Sequence, residues 1–420
     1  MELYTENSRM AEIVTRFYAD EALVPEKIRR AEQTREKFEK EFGHSPEYMI
    51  SSPGRTEICG NHCDHQRGSV LAAAVNTDIL AFASKSDDWT AHIYSEGYGH
   101  IDVDLNDLSV NKKEAGTSAA MVRGIAAAFK EYWITVSGFY AYITSDVPVG
   151  SGISSSAAFE NAVANIFAAV GGRKLDAADI ARVGKIAENK YFGKPSGLMD
   201  QMAAACGGMI YIDFENEEFP KVERLDCDFS SFGISVCIVN TGKSHANLGE
   251  DYASVPAEMK RVASFFGKKV LKEVEEEKFY SRIDRVRAYA GDRAVMRAIH
   301  FYEECRRVEE CRQALLSQDK AAFLKVIHES GDSSWKYLQN IYSPGSKKEQ
   351  SLGFALALSE HIIGERGACR VHGGGFAGTI QAFVPDDLLD EYRTKIEKAF
   401  GRNSCSVLKI RNVGGCSVKL

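Results

Sequence analysis

The chain has 420 residues, of which 44% are hydrophobic and 26% charged, and its formal net charge at pH 7 is −7. This composition is typical of a globular protein with room for two or three domains. It argues against nucleic acid as the main partner, because a nucleic-acid-binding surface needs an excess of basic residues. No apolar run reaches membrane-spanning length, so no membrane partner is expected. The N-terminal residues lack the pattern of a secretory signal, and ten cysteines are dispersed singly, so we expect a cytoplasmic protein.

The first half of the chain mixes helix and strand patterns. Two amphipathic helices are predicted up to residue 42, and a break follows at Ser51 to Gly54, where serine, proline and glycine cluster. Because helices and strands do not alternate strictly, the pattern favours an α+β domain. The remaining elements predicted for this half are strands at 79–83, 91–94, 101–105 and 138–145 and helices at 118–132, 154–170 and 177–192.

The second half begins after a polar, acidic stretch at 214–219, which predicts a boundary between a domain at 1–213 and another at 214–420. A buried strand is predicted at 234–239, and 250–364 is expected to be mostly helical. The tail predicts, in order, strands at 368–371 and 379–384, a helix at 388–400 and a strand at 406–410. This β-β-α-β order is typical of a ferredoxin-like layer.

A loop of small residues, PVGSGISSSAA at 148–158, joins the predicted strand at 138–145 to the helix at 154–170. Small residues let backbone N–H groups approach a ligand closely, and a helix N-terminus attracts anions. Hydroxyl groups add contacts to phosphate or to Mg²⁺. Because the loop contains no basic side chain, phosphate binding there would depend on the backbone and the helix.

The eleven-residue string resembles motif 2 of the GHMP small-molecule kinases, P-x-G-x-G-[LI]-x-S-S-A-A. The resemblance implies a two-domain α+β fold, with an N-terminal domain like ribosomal protein S5 domain 2, a ferredoxin-like C-terminal domain and an active site in the cleft between them. It also implies ATP and Mg²⁺ as cofactors. The residues expected to bind ATP are Pro148, Gly150, Ser151, Gly152, Ser154, Ser155 and Ser156.

The string GRTEICGNHCDH at 54–65 resembles the galactokinase signature G-R-x-N-[LIV]-I-G-E-H-x-D-Y, which indicates the sugar-kinase branch of that family. The resemblance implies that Arg55 polarises the reacting hydroxyl and that Asn61, His62 and Asp64 bind the sugar. A carboxylate such as Asp64 can accept hydrogen bonds from two adjacent hydroxyls. Taken alone, the Asn and Asp residues of this stretch would indicate only a turn.

Glu188 and Asp200, with the string SGLMDQ at 196–201, resemble the galactokinase segment E-x11-D that ends in C-G-I-M-D-Q. The resemblance implies that Asp200 faces the anomeric hydroxyl, that Gly197 lies at the sugar, and that Glu188 binds Mg²⁺ together with Ser156. A carboxylate near a hydroxyl can act as a general base, and a nearby arginine would lower its pKa. Whether Asp200 removes the proton or only orients the hydroxyl stays open.

Two further stretches fit the same resemblance. The string RVHGGGFAG at 370–378 is similar to motif 3, T-G-G-G-F-G-G, which implies that Gly374 and Gly375 close over the bound cofactor. The string GEDY at 249–252 lies where galactokinases carry S-S-E-Y, which implies that Tyr252 contacts the sugar.

The chain departs from the family pattern at several positions. Asn61 replaces a glutamate, Glu57 an asparagine, His65 a tyrosine and Ser196 a cysteine. The family glutamate accepts a hydrogen bond from the sugar 6-hydroxyl, whereas an amide both donates and accepts. Asn61 would therefore still bind a hydroxyl and would also tolerate a carboxylate at C6. The string DHQRG at 64–68 is moreover similar to one in galacturonic-acid kinases.

The expected function is a sugar 1-kinase, with a monosaccharide and ATP as substrates. The first candidate reaction is that of a galactokinase, which converts D-galactose and ATP to α-D-galactose 1-phosphate and ADP; galacturonate and other hexoses or pentoses are the alternatives. A sensor that binds galactose and ATP without turnover is a remote alternative. The intact residues Arg55, Asp200 and 154–158 favour the enzyme. A monomer or weak oligomer is expected.

Overall fold

The structure, a computed structural model, describes residues 2–18, 22–147, 152–194, 196–227, 229–242 and 248–420, with side chains from residue 9 onward. Helices α1 (Glu2–Phe17) and α2 (Val24–Phe42) come first, as predicted. Among the described residues, no helix combines the length and the apolar character needed to cross a membrane.

An eight-stranded sheet organises the first half of the chain. Its strands are β1 (Tyr48–Cys59), β2 (Ser69–Lys85), β3 (Thr90–Ser95), β4 (Gly99–Asp104), β5 (Phe139–Ser145), β6 (Met209–Asp213), β7 (Lys221–Leu225) and, from the end of the chain, β12 (Cys416–Lys419). The order is β12-β1-β2-β5-β3-β4, and the β6–β7 hairpin pairs with the first part of β2. The pairing of β3 with β5 is parallel, and the other pairings are antiparallel.

Both faces of this sheet are covered. One face packs on α3 (Ser118–Glu131), α4 (Ser155–Val170), α5 (Ala177–Ile186), its π-helical continuation Ala187–Phe192, and α6 (Met199–Cys206). The other face packs on α1 and α2, where Leu80 and Phe82 of β2 meet Val14 and Phe38. Successive side chains of a strand point to opposite faces, so a strand that is apolar at every position, as β2 is over 79–83, indicates burial on both sides.

A four-stranded antiparallel sheet organises the second half. It contains β8 (Ile234–Asn240), β9 (Ala368–His372), β10 (Thr379–Pro385) and β11 (Cys405–Leu408), in the order β11-β8-β10-β9. Between β8 and β9 lie α7 (Gly249–Phe265), α8 (Glu276–Tyr280), α9 (Ile283–Ala290), α10 (Asp292–Leu316), α11 (Lys320–Ser333), the π-helical segment Ser334–Leu338 and α12 (Ser351–Ile363), and α13 (Leu389–Phe400) precedes β11. The predicted β-β-α-β tail and the helical middle are confirmed.

The predicted break at Ser51 to Gly54 is wrong, because these residues lie inside β1. A proline is accommodated there because the register between β1 and β2 shifts between Pro53 and Arg55, and the pairing of β1 with β12 ends at Ser51. Proline cannot donate to a strand ladder and is therefore found at edges and irregularities. The strand continues to Cys59 and carries Arg55 in its interior.

The two sheets do not follow the division predicted at residue 213. The polar stretch 214–219 lies in the connection between β6 and β7, which pair as a hairpin, and β7 therefore stays in the first sheet. The last strand, β12, returns to pair with β1. As a division into functional domains, 1–213 and 214–420 stays a prediction.

Candidate active site

The centre of the candidate site is an ion pair between Arg55 of β1 and Asp200, in the first turn of α6. The guanidinium contacts both carboxylate oxygens, with Nε 2.7 Å from Oδ1 and Nη2 2.7 Å from Oδ2. Its third nitrogen, Nη1, donates to the carbonyl oxygen of Gly152. Two-point contacts of this kind are among the stronger charge-assisted hydrogen bonds. The pair therefore fixes Asp200 next to the loop that precedes α4.

This environment keeps Asp200 ionised. Burial alone would raise the pKa of its carboxyl group, but the charge of Arg55 and hydrogen bonds from Arg55 and Ser154 outweigh burial and lower the pKa to about 2. Asp200 can therefore accept a hydrogen bond from a bound hydroxyl at any neutral pH, while so low a pKa makes it a weak proton acceptor.

The small-residue loop leads to the N-terminus of α4. Ser154 adopts a left-handed backbone conformation with φ +59°, and its hydroxyl donates to Oδ2 of Asp200. Ser155 and Ser156 follow in the first turn of the sixteen-residue helix. Unpaired backbone N–H groups at such a terminus favour an anion. Of the predicted ATP-binding residues, Pro148, Gly150 and Ser151 lie outside the described residues.

The predicted metal ligand Glu188 lies in the π-helical segment and is 2% exposed. Its Oε1 accepts a hydrogen bond from Nζ of Lys194 at 2.8 Å, and its Oε2 accepts one from Nε2 of Gln201 at 2.9 Å. Gln201 also donates to Oε2 of Glu160, at 2.9 Å. Glu160 lies four residues after Ser156 on α4, so the two side chains share one face of that helix.

These groups fit a divalent cation chemically. Magnesium prefers carboxylate and hydroxyl oxygens, which Glu188 and Ser156 provide. A cation, the ammonium group of Lys194, already contacts Glu188. Oε1 of Glu160 is buried and has no hydrogen-bond partner among the described residues.

Asn61 is buried, and protein groups occupy both ends of its amide. Its Nδ2 donates to Oε1 of Glu57 at 3.0 Å and to the carbonyl oxygen of Gly373 at 2.7 Å. Its Oδ1 accepts from Nδ2 of Asn340 at 2.8 Å. Glu57 in turn forms a buried ion pair with Arg370 at 2.7 Å. Asn61 thus connects β1 to the loop that follows β9.

His62 has a free acceptor nitrogen. Its Nε2 lies 3.1 Å from the carbonyl oxygen of Gly374, and because a carbonyl only accepts, Nε2 carries the proton. Burial, followed by the neighbouring His65, lowers the pKa of His62 to about 3, so the ring is neutral at pH 7. Its Nδ1 is buried without a hydrogen-bond partner among the described residues, and can accept a bond from a ligand hydroxyl.

Asp64 lies directly against Gly197. Its Oδ1 accepts a hydrogen bond from the backbone N–H of His65 at 2.8 Å, the local turn contact expected of an aspartate. A Cβ atom at Gly197 would overlap Oδ2 of Asp64, so a glycine is required there for space. The segment that leads into α6 is therefore in contact with the turn at residues 60–65, which follows β1 and is called here the sugar-signature turn.

Tyr252 of α7 contacts the motif 3 loop. Its hydroxyl donates to the carbonyl oxygen of Gly375 at 2.5 Å, and its ring packs on Phe376 with centroids 5.4 Å apart. Gly375 has φ +82°, and a Cβ atom there would overlap the carbonyl oxygen of Asn340. Gly374 and Gly375 thus lie beside His62 and Tyr252, two predicted sugar contacts.

Two residues that hold the sugar-signature turn in place, Glu304 and His300, are not among the residues predicted from the sequence. Oε1 of Glu304 on α10 accepts the backbone N–H groups of Gly60 and Asn61, at 3.1 and 3.3 Å. His300, one helical turn earlier, contacts the carbonyl oxygen of Asn61 at 3.0 Å. A histidine and a glutamate four residues apart on a buried helix face were a detectable signal, but nothing local indicated their partner.

Comparison with known proteins supports the motif analysis. Residues 36–85 match the family profile described as "Galactokinase galactose-binding signature", and residues 116–208 match "GHMP kinases N terminal domain". The crystal structure of Lactococcus lactis galactokinase complexed with galactose aligns with a TM-score of 0.79 at 23% identity, over 93% of this chain and 99% of that one. Methanococcus jannaschii mevalonate kinase aligns with a TM-score of 0.62 at 16% identity, over 87% and 98%. At these identities the structures establish the fold alone, and the predicted fold class is confirmed.

Sequence relatives establish more. The galactokinase of Actinobacillus pleuropneumoniae serotype 5b (strain L20) is 31% identical over 366 residues, which cover 85% of this chain and 90% of the relative. The galactokinase of Haemophilus influenzae (strain ATCC 51907 / DSM 11121 / KW20 / Rd) is 31% identical over 361 residues, with the same coverage. Together with the matched signature and the fold, this similarity over most of both chains means that the chain belongs to the galactokinase family of the GHMP kinases.

Proposed function

We propose that this chain is an ATP-dependent sugar 1-kinase that transfers the γ-phosphoryl group of ATP to the anomeric hydroxyl of galactose. The observation that carries the proposal is the contact of Asp200 with both Arg55 and Ser154, at the N-terminus of α4. This contact places Asp200, which can accept a hydrogen bond from a sugar hydroxyl, next to the N-terminus of α4, which can bind phosphate. The galactokinase relatives support galactose as the first candidate sugar.

In the proposed mechanism, Asp200 orients the sugar hydroxyl and accepts its proton only as the new O–P bond forms and the bond to ADP breaks. A carboxyl group with a pKa of about 2 is a poor base at neutral pH. Phosphoryl transfer through a loose transition state needs positioning and charge stabilisation more than a strong base. Arg55 supports both requirements, because it fixes Asp200 and its positive charge offsets negative charge on the transferred phosphoryl group.

The phosphates of ATP would bind at the N-terminus of α4. Glu188 and Ser156 are the side chains proposed to hold Mg²⁺, which when bound neutralises charge on the phosphate oxygens. The sugar would lie against the signature turn, where Nδ1 of His62 and the carboxylate of Asp64 can accept hydrogen bonds from its hydroxyls. Gly197 keeps the space beside Asp64 free of a side chain.

An assay of ADP release over galactose, galacturonate, N-acetylgalactosamine and arabinose tests this function. We expect release with at least one sugar, and a loss of at least about 100-fold in kcat for Asp200→Asn, because the neutral amide no longer stabilises developing positive charge or holds the hydroxyl as firmly. Ser154→Ala, which keeps the ion pair, should lose less. Nucleotide binding and circular dichroism show whether each variant is folded.

Two results would contradict the proposal. The first is full activity of a folded Asp200→Asn variant, which would exclude Asp200 from the reaction. The second is binding of ATP and galactose without ADP release from any sugar, which would favour the sensor alternative.

Galacturonate is a second candidate substrate, which the charges around position 61 favour. Position 61 carries a neutral amide, and the carboxylate beside it, Glu57, is neutralised by the buried guanidinium of Arg370. A sugar carboxylate near this turn would therefore meet no unpaired negative charge from these residues. Asn61 and Glu57 also stand where the family pattern has glutamate and asparagine, so the two residue types have exchanged positions.

Exchanging the residues at positions 57 and 61 tests galacturonate as a substrate. The double variant Glu57→Asn, Asn61→Glu keeps one amide and one carboxylate in contact but moves the charge to position 61. We expect kcat/KM to fall at least about tenfold more for galacturonate than for galactose, because like charges in a desolvated site repel. Asn61→Gln, which adds no charge, is the control. Equal losses for both sugars would contradict the charge explanation, and no turnover of galacturonate by the unchanged chain would exclude this substrate.

A further inference from the structure

Lys194 contacts the proposed metal ligand Glu188, although the motif that runs from Glu188 to Asp200 does not specify a residue at position 194. Its Nζ lies 2.8 Å from Oε1 of Glu188. The backbone N–H groups of Gly193 and Lys194 both donate to the carbonyl oxygen of Glu188, at 3.0 and 3.1 Å, and so end the π-helical segment. This tight turn brings the side chain of Lys194 back to the carboxylate of Glu188.

The contacts around Lys194 place it beside the candidate reaction centre. Its partner Glu188 also accepts a hydrogen bond from Gln201, which follows Asp200 in the chain and donates to Glu160 as well. The ammonium group therefore lies beside a cluster of acids of the candidate active site. The side chain is 58% exposed and has four flexible methylene groups, so it can move between partners.

Neither the predicted phosphate loop nor Arg55 has a cationic group free for the phosphates. The loop at 148–156 contains no lysine or arginine. All three nitrogens of Arg55 already contact Asp200 or the carbonyl oxygen of Gly152. A transferred phosphoryl group carries negative charge on several oxygens, and a charge-assisted hydrogen bond from a lysine stabilises it.

We propose that Lys194 is a phosphate-binding residue that competes with the divalent cation for Glu188. Without nucleotide, its ammonium group rests on Glu188 and balances the charge of the buried carboxylate. When the metal–nucleotide complex binds, the ammonium group leaves Glu188 and contacts a phosphate oxygen. This inference rests on the proposed function, since it assigns Glu188 to the metal and the N-terminus of α4 to phosphate.

The inference predicts effects of opposite sign for one substitution. In Lys194→Met, Mn²⁺ should bind the nucleotide-free protein at least about threefold more tightly, because the competing ammonium group is gone, as measured by the paramagnetic resonance signal of free Mn²⁺. The same variant should bind ADP in the presence of Mg²⁺ at least about tenfold more weakly by calorimetry, because a charge-assisted hydrogen bond is lost. Lys194→Arg should recover part of the ADP affinity.

Lys190→Met is the matched control. Lys190 lies in the π-helical segment, four residues before Lys194, and is similarly exposed, but its Nζ contacts Glu131 at 3.2 Å. Lys190→Met removes the same charge from the chain as Lys194→Met. Because a surface charge is screened by solvent, the affinities for Mn²⁺ and for ADP should stay within about twofold of the unchanged protein.

The outcomes separate this inference from the proposed function. Weaker binding of both Mn²⁺ and ADP in Lys194→Met would indicate a structural role and overturn the inference, as would no change in either affinity or no binding of Mn²⁺ to any variant. If the unchanged protein phosphorylates no sugar, the proposed function fails, while the two affinities still decide whether Lys194 binds phosphate. If it phosphorylates a sugar and Lys194→Met binds both ligands normally, only the inference fails.

Discussion

At the scale of single residues, the sugar-signature turn shows why a motif position does not by itself reveal a contact. Asn61 occupies the position of a family glutamate, yet its amide is bonded to Glu57, Gly373 and Asn340. His62, next in the chain, instead has an acceptor nitrogen, Nδ1, without a hydrogen-bond partner in the described part of the chain. The resemblance predicted that both residues bind the sugar. In the structure, the amide of Asn61 is bonded to protein groups, whereas Nδ1 of His62 can still accept a hydrogen bond.

His62 makes a pH-dependent contribution to stability. Its pKa is about 3 in the folded chain, mainly because of burial, against about 6.5 in an unfolded chain. Between these values the unfolded state binds the proton and the folded state does not, so acidification lowers the free energy of unfolding. We expect the loss of stability between pH 7.5 and pH 5 to be smaller in His62→Gln by up to about 2 kcal/mol.

Urea denaturation at the two pH values measures this difference. Glutamine keeps an N–H donor that can reach the carbonyl oxygen of Gly374, so the variant should fold. Parallel changes in stability in the variant and the unchanged protein would contradict the neutral, buried state of His62.

At the scale of elements, three helices meet at one buried amide. Gln201 of α6 donates to Glu160 of α4 and to Glu188 of the π-helical segment. Burial, followed by the charge of Glu188, raises the pKa of Glu160, which reduces the repulsion between these neighbouring acids. π-Helical turns are frequent at functional sites, where they change the direction in which side chains leave a helix. Here the π-helical segment contains Glu188.

Gln201→Leu should therefore destabilise the junction of these helices. Leucine leaves two buried carboxyl groups without their shared donor, and a buried polar group without a partner costs about 1–3 kcal/mol. We expect a loss of about 2 kcal/mol in the free energy of unfolding, measured with denaturant. Gln313→Leu, at an exposed position of α10, should change it by less than about 0.5 kcal/mol. Equal effects of the two substitutions would show that Gln201 does not join the helices.

At the scale of the whole molecule, the beginning and the end of the chain meet at Asp78 of β2. This aspartate is fully buried and contacts Arg30 of α2 at 2.6 Å and Arg411, which precedes β12, at 3.0 Å. Burial would raise the pKa of Asp78, but Arg30 and Arg411 outweigh it and lower the pKa. The hydroxyl groups of Tyr18 and Ser51 donate to the same carboxylate. The cluster joins elements that are far apart in sequence to one face of the first sheet.

Arg411→Met should destabilise the protein strongly. Removing one partner of a buried ion pair costs about 3–5 kcal/mol, and we expect the lower end of this range because Arg30 still contacts Asp78. Arg306→Met, which breaks a largely exposed pair with Glu276, should cost less than about 1 kcal/mol. Denaturant unfolding of the two variants makes the comparison, and similar midpoints would refute a stabilising role for the cluster.

The local sequence predicted most helices and the β-β-α-β order of the C-terminal elements, because a helix or strand buried on one face shows a periodic apolar pattern within its own segment. It also predicted the small-residue loop. Its motifs also identified the family and predicted Arg55 and Asp200 as site residues, which the structure brings into contact. It did not reveal that β1 continues through Pro53, because a proline is read as a break unless the irregular pairing around it is known. Only the tertiary structure decided that β12 joins the first sheet, that Lys194 rests on Glu188, and which protein groups hold Asn61. These contacts join distant segments, and a periodic pattern shows which side of an element is buried but not which partner covers it.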